Sequence, residues 1–130
     1  MGHAPDTALG KMYKEHIELI LKKDIDALLD QYTEDAVLIS SFEKTPKYFR
    51  GQEELKEHFK GILGIEGLEV DIAFWAETEN PTTLMIVEAI KLQTADGEAS
   101  MRFADSWVLR DGKIAIHFAG MTQYPDGSVA

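Results

Sequence analysis

Apolar residues recur every three to four positions through most of the N-terminal half of the chain and every second position afterwards, so the pattern predicts helices first and strands later. The first stripe is Leu9, Met12, Tyr13, Ile17, Ile20 and Leu21, with His16 on the same face. Asp6 or Thr7 can cap this helix, and Lys22 and Lys23 suit its negative end. Asp24 caps a short second helix carrying Ile25, Leu28, Leu29 and Tyr32, after which the run from Ala36 to Ser40 has strand character. The segment from Ser41 to Arg50 holds Pro46 and the aromatics Phe42, Tyr48 and Phe49. It reads as a lid-like loop across something apolar. Gly51 opens a third helix with Leu55, Phe59, Ile62 and Leu63 on one face, ended by Gly61, Gly64 and Gly67. Strands are predicted from Leu68 to Glu77, Thr82 to Thr94, Gly97 to Arg110 and Lys113 to Tyr124. Their turns are Glu79-Asn80-Pro81, Asp96-Gly97 and Asp111-Gly112. Such an order predicts an α+β fold with helices on one face of a curved, mostly antiparallel sheet.

Composition narrows the picture. A chain of 130 residues that is 45% hydrophobic suits a single domain, here with its ordered core from about residue 7 to 125. The 23 acidic and 13 basic residues give a net charge of -10, which excludes nucleic acid and anionic membrane surfaces as expected partners. No cysteine is present, so thiol catalysis and cysteine-ligated zinc are excluded. The N-terminus has no apolar signal segment and no run is long enough to span a bilayer, so a cytoplasmic protein is expected. No cofactor is expected either. His16 and Glu18 fall on different helix faces and no His-x-x-x-His occurs, so no metal is expected.

The candidate chemistry lies on the hairpin around Asp111-Gly112. Alternation puts Asp105 on one strand face with Met101, Phe103, Trp107 and Leu109, where a carboxylate is costly unless it is partnered, protonated or lining a pocket. His117 sits on the other arm. There the apolar alternation of Ile114, Ile116 and Phe118 would turn His117, Ala115, Ala119 and Met121 away from the core. Tyr13, Tyr32, Phe59, Trp75, Phe103, Trp107 and Met121 are candidates to line a pocket for a small, flat apolar molecule.

The segments Lys23-Asp24-Ile25-Asp26-Ala27-Leu28-Leu29, Tyr32 to Leu38, Gly51-Gln52-Glu53-Glu54-Leu55 and Asp105-Ser106-Trp107, followed by Asp111-Gly112-Lys113-Ile114, occur in an order that resembles the NTF2-like superfamily, and its SnoaL-like branch most. The resemblance spans about Met12 to Pro125. It implies a cone-shaped sheet wrapped around helices, an apolar pocket between sheet and first helix, and a homodimer through the outer sheet face. Position by position, the base aspartate of ketosteroid isomerase falls on Ser40, its tyrosine on His16 and its second, protonated aspartate on Asp105. With serine at position 40 the isomerase base is missing. Asp105 with His117 instead resembles the aspartate and histidine of SnoaL-like polyketide cyclases, and that register turns His117 and Met121 toward the pocket mouth. The expected function is cofactor-free isomerisation, cyclisation or dehydration of a small apolar carbonyl or hydroxyl compound. Asp105 would carry the proton, His117 would orient it or act as a second acid-base group, and His16 would polarise the substrate oxygen. The alternative is a non-catalytic dimeric ligand-binding or protein-interaction module.

Overall fold

A computed structural model describes residues 3–42, 44–62 and 66–129. Helix α1 (Ala8–Lys22) starts where the Thr7 hydroxyl accepts a hydrogen bond from the Gly10 amide at 3.0 Å, and it stops where Lys23 turns left-handed at φ 60°. Asp24 caps α2 (Ile25–Leu29) by accepting from the Ala27 amide. Strand β1 (Tyr32–Ser40) follows directly, so Tyr32 opens a strand rather than closing the second helix. Strand β2 (Lys47–Arg50) and helix α3 (Gly51–Ile62) come next, then the long strands β3 (Glu66–Thr78), β4 (Thr83–Thr94), β5 (Gly97–Arg110) and β6 (Lys113–Gln123).

The six strands form one open sheet in the order β2-β1-β6-β5-β4-β3, antiparallel except for the β1–β6 pair. The predicted loop is thus partly an edge strand, with Ser40 opposite Lys47. Gly61 is helical, and the expected Leu63 and Gly64 positions lie outside the described residues. The main core joins Leu9 and Tyr13 of α1, Leu28 and Leu29 of α2, and Leu55 and Phe59 of α3 to the concave sheet face at Tyr32, Leu38, Ile72, Leu84, Ile86, Trp107 and Ile114. Leu21, read as part of the first stripe, is half exposed.

A β-bulge decides the parity of β6. Val108 pairs with Ile116 but Leu109 pairs with Ile114, so Ala115 is the extra residue and the strand changes face there. Ile114 and His117 therefore both point inward and are buried, while Ile116 and Phe118 are 44% and 41% exposed on the convex face. Strict alternation across Ala115 predicted the reverse for His117.

Candidate functional site

Between α1, α3 and the concave sheet lies a cavity of about 140 Å³. Its walls are apolar: Ile17 and Ile20 from α1, Phe59 and Ile62 from α3, and Leu38, Val70, Ile90 and Phe103 from the sheet. Phe42, from the loop after β1, and His58 also line it. Polar side chains reach it from α1 (Tyr13, His16), β1 (Ser40), β4 (Glu88), β5 (Asp105) and β6 (His117).

Strand pairing brings the acid-base groups together. Trp107 faces His117 across β5 and β6, which places Asp105 one diagonal step away, with its Oδ1 3.2 Å from His117 Nε2. The Tyr32 hydroxyl is 2.7 Å from His117 Nδ1. Burial lowers His117 to a pKa of about 4, so the ring is neutral near pH 7 and one nitrogen donates while the other accepts. With Asp105 ionised, Nε2–H donates to the carboxylate and Tyr32 donates to Nδ1. Burial also raises Tyr32 well above the usual phenol range, with the Asp105 charge adding to the rise.

Asp105 has a neighbour that was not anticipated. Glu88 lies on β4, where Ile86 pairs with Asp105, and is only 3% exposed. Tyr13 donates a short hydrogen bond to Glu88 Oε2, while Glu88 Oε1 is sealed from solvent and makes no hydrogen bond of normal geometry among the described residues. Burial first, and the Asp105 charge second, hold Glu88 well above the ordinary carboxylate range. Burial likewise raises Asp105 to about 6, and interaction with Glu88 offsets part of that rise. Burial thus favours a proton shared within the pair, and the stronger upward push is on Glu88. The signal for Glu88 was present in the sequence: Leu84, Ile86, Glu88, Ile90 and Leu92 alternate on one face, the same anomaly that marks Asp105.

His16 is fixed from the other side. Its Nδ1 is 2.9 Å from Gln31 Oε1, and burial, aided by nearby His117, lowers the ring to about 3. Gln31 in turn donates from Nε2 to the Met12 carbonyl at 3.1 Å and to Glu15 Oε1 at 3.3 Å. A carbonyl oxygen only accepts, so the amide nitrogen must face it and the amide oxygen must face His16. The ring hydrogen is then on Nδ1 and Nε2 keeps its lone pair. His16 is an acceptor and is not equipped to polarise a substrate oxygen, contrary to the role expected for it.

Of the residues singled out in the sequence, Tyr13, His16, Ser40, Phe59, Phe103, Asp105, Trp107 and His117 line the cavity, and Tyr32, Trp75 and Met121 do not. Tyr32 stands behind His117, nearly parallel to its ring at 6.0 Å. Trp75 packs edge-on against Tyr13 and donates its indole hydrogen to Glu77. Met121 faces inward but lies in a separate cluster with Leu92, Met101 and Tyr124. Among the described residues no group of three or more His, Asp or Glu side chains is arranged to hold a metal ion.

Comparison with known proteins accords with this architecture. The profile of the SnoaL-like domain matches residues 13–117. The chain belongs to the SnoaL-like family. No curated protein sequence matches it. Several solved structures share the fold. One is the epoxide hydrolase/cyclase-like enzyme SalBIII, described in pyran ring formation in the polyether salinomycin, at 14% identity over 85% of this chain and 88% of that one, with a TM-score of 0.71. A second is AusH from Aspergillus nidulans, at 16% identity over 96% and 94% of the two chains and a TM-score of 0.73. A third is TerC co-crystallised with polyporic acid, at 15% identity over 88% and 92% and a TM-score of 0.72. At these identities the likeness is one of fold: this SnoaL-like chain has the three helices and open six-stranded sheet already described.

Proposed function

We propose that this SnoaL-like protein is a cofactor-free acid-base catalyst acting on a small, largely apolar carbonyl or hydroxyl compound, by isomerisation, cyclisation or dehydration. The observation that carries this reading is the Asp105–Glu88 carboxyl pair lining a largely apolar cavity, where burial pushes both carboxyls above their ordinary range. In such a step Asp105 takes a proton from a carbon or hydroxyl of the substrate, and the proton is returned elsewhere on the same molecule, with no change of oxidation state. His117 donates to Asp105 and holds the carboxylate toward the cavity, and Tyr32 holds His117. SalBIII, similar in fold, is named as an epoxide hydrolase/cyclase-like enzyme in pyran ring formation, which is consistent with a cyclisation here.

The test is proton exchange. Ring ketones and hydroxyketones incubated with the protein in deuterium oxide are expected to lose an activated C–H signal by NMR, and Asp105→Asn is expected to slow that loss by roughly 100-fold or more. Exchange in the variant at the wild-type rate, or none above buffer in the wild type across the panel, overturns the reading.

The convex sheet face supports a homodimer. Met85, Ser106 and Phe118 form one row across β4, β5 and β6, and Val108, Ile116 and Val37 the next, with Phe74 exposed nearby. Such a face is apolar enough to be covered by a second copy. Light scattering is expected to give twice the 14.6 kDa chain mass, and a Phe118→Lys variant is expected to be monomeric.

A further inference from the structure

The polar atoms that the cavity offers a ligand have a direction. Gln31 sits in the turn between α2 and β1 and is buried, with both amide hydrogens directed at acceptors, so its oxygen stays on His16 Nδ1. His16 Nε2 then has a lone pair and no protein partner among the described residues. It is not sealed as Glu88 Oε1 is, so it opens onto the cavity that His16 lines. The polar group beside it is the Asp105 carboxylate, again an acceptor, whereas the hydrogens of His117 and His16 are already given to Asp105 and Gln31, and the Ser40 hydroxyl, which can donate, lies two strands away from Asp105 across Ala119.

We infer that the deep end of the cavity is built to receive a hydrogen-bond donor, and specifically a neutral hydroxyl group on a small ring, which donates to His16 Nε2 beside Asp105. The inference rests on the reading above that the cavity takes a small molecule, and it narrows that reading from carbonyl or hydroxyl compounds to hydroxyl compounds. A ligand whose only polar atom is a carbonyl or ether oxygen would meet two acceptors and leave both unpaired, which is costly away from water. An anion would be repelled by Asp105. An ammonium group would be drawn to Asp105 but would give up its hydration among largely apolar walls, a cost that a neutral hydroxyl does not carry. The size agrees: a dry cavity of about 150 Å³ takes a benzene ring, so one ring fits the 140 Å³ available and a second would extend toward Phe42 and His58.

The experiment compares three molecules with one skeleton, indan-1-ol, indan-1-one and 1-methoxyindane, by calorimetry or NMR titration at neutral pH. The alcohol is expected to bind roughly three- to tenfold more tightly than the ketone or the ether, the range that one net hydrogen bond supplies. Gln31→Leu frees the His16 ring to adopt either tautomer and is expected to reduce that preference. A second measurement does not depend on ligand or variant: the ¹⁵N shifts of His16 in the wild-type protein are expected to report hydrogen on Nδ1 and a bare Nε2. A His16 ring carrying its hydrogen on Nε2 overturns the inference, as does equal or tighter binding of the ketone, and in either case the small-molecule cavity survives. Failure of all three to bind removes both.

Discussion

Trp107→Ala is expected to lower the stability of the fold by about 3–5 kcal/mol, the usual range for truncating a large aromatic in a core. The side chain is 1% exposed at the centre of the sheet, with β4 on one side at Leu84 and β6 on the other at His117. It touches the site as well as the core. Its ring lies edge-on to His16 at 5.0 Å and to His117 at 6.0 Å, and tilted against Tyr13 at 6.1 Å. Removing it opens a void continuous with the existing cavity, where water can reach both imidazoles and relieve the desolvation that keeps their pKa values low. Urea unfolding followed by far-UV circular dichroism reads the stability loss, and NMR titration of His16 and His117 should show both moving up toward 6.5. Trp107→Phe should restore most of the stability. An alanine variant as stable as wild type would mean that the indole contributes little to the core.

Asp105→Asn is expected to do the opposite and stabilise the protein near neutral pH. Burial raises the folded-state pKa of Asp105 from 3.8 to about 6. Between those values the folded chain holds a proton that the unfolded chain has released, so stability falls as pH rises through the window and stays low above it. A shift of roughly two units corresponds to about 3 kcal/mol. Asparagine carries no charge at any pH, so the variant should match wild type near pH 4, pull ahead as pH rises to 6, and keep a constant lead above about pH 7. The three histidines that line the cavity act in the reverse sense. His16, His58 and His117 are lowered to about 3, 4 and 4, so the unfolded chain gains protons first as pH falls below 6.5 and stability is lost there. Both proteins share that loss, so the difference between their denaturation curves reports Asp105 together with its effect on Glu88. A variant with no advantage at pH 7.5 would mean that Asp105 is well solvated in the folded state.

Much of this arrangement was legible in the sequence because it rests on local periodicity. Thr7 and Asp24 capped their helices as expected and the Asp111-Gly112 turn sets the β5–β6 hairpin, while the β4–β5 loop is Ala95-Asp96, one residue before the expected turn, with Gly97 paired to Thr94 in β5. Asp105 stood out because a charge broke an apolar alternation. Glu88 breaks the neighbouring strand in the same manner, and the identical argument applies to it. His117 was harder. Its face depends on the extra residue at Ala115, and one inserted residue in a strand is invisible to a pattern of period two. Gln31 carried no signal at all. A polar residue in a turn reads as solvated, and only the packing of α1 over that turn gives its amide the partners that fix His16.

Among the described residues the sheet ends at β2 on one side and at β3 on the other, and β3 is the longer. A strand of 13 residues at the end of a sheet is the kind of element prone to recruit other chains into fibrils. Two features of β3 work against that. Its pairing with β4 slips between Ile72 and Phe74, which bends the margin, and Glu66, Glu69, Asp71 and Glu77 spread negative charge along it. Acidic solution would neutralise those carboxylates and remove that protection, so fibril growth at low pH is the hazard to which this architecture is most exposed.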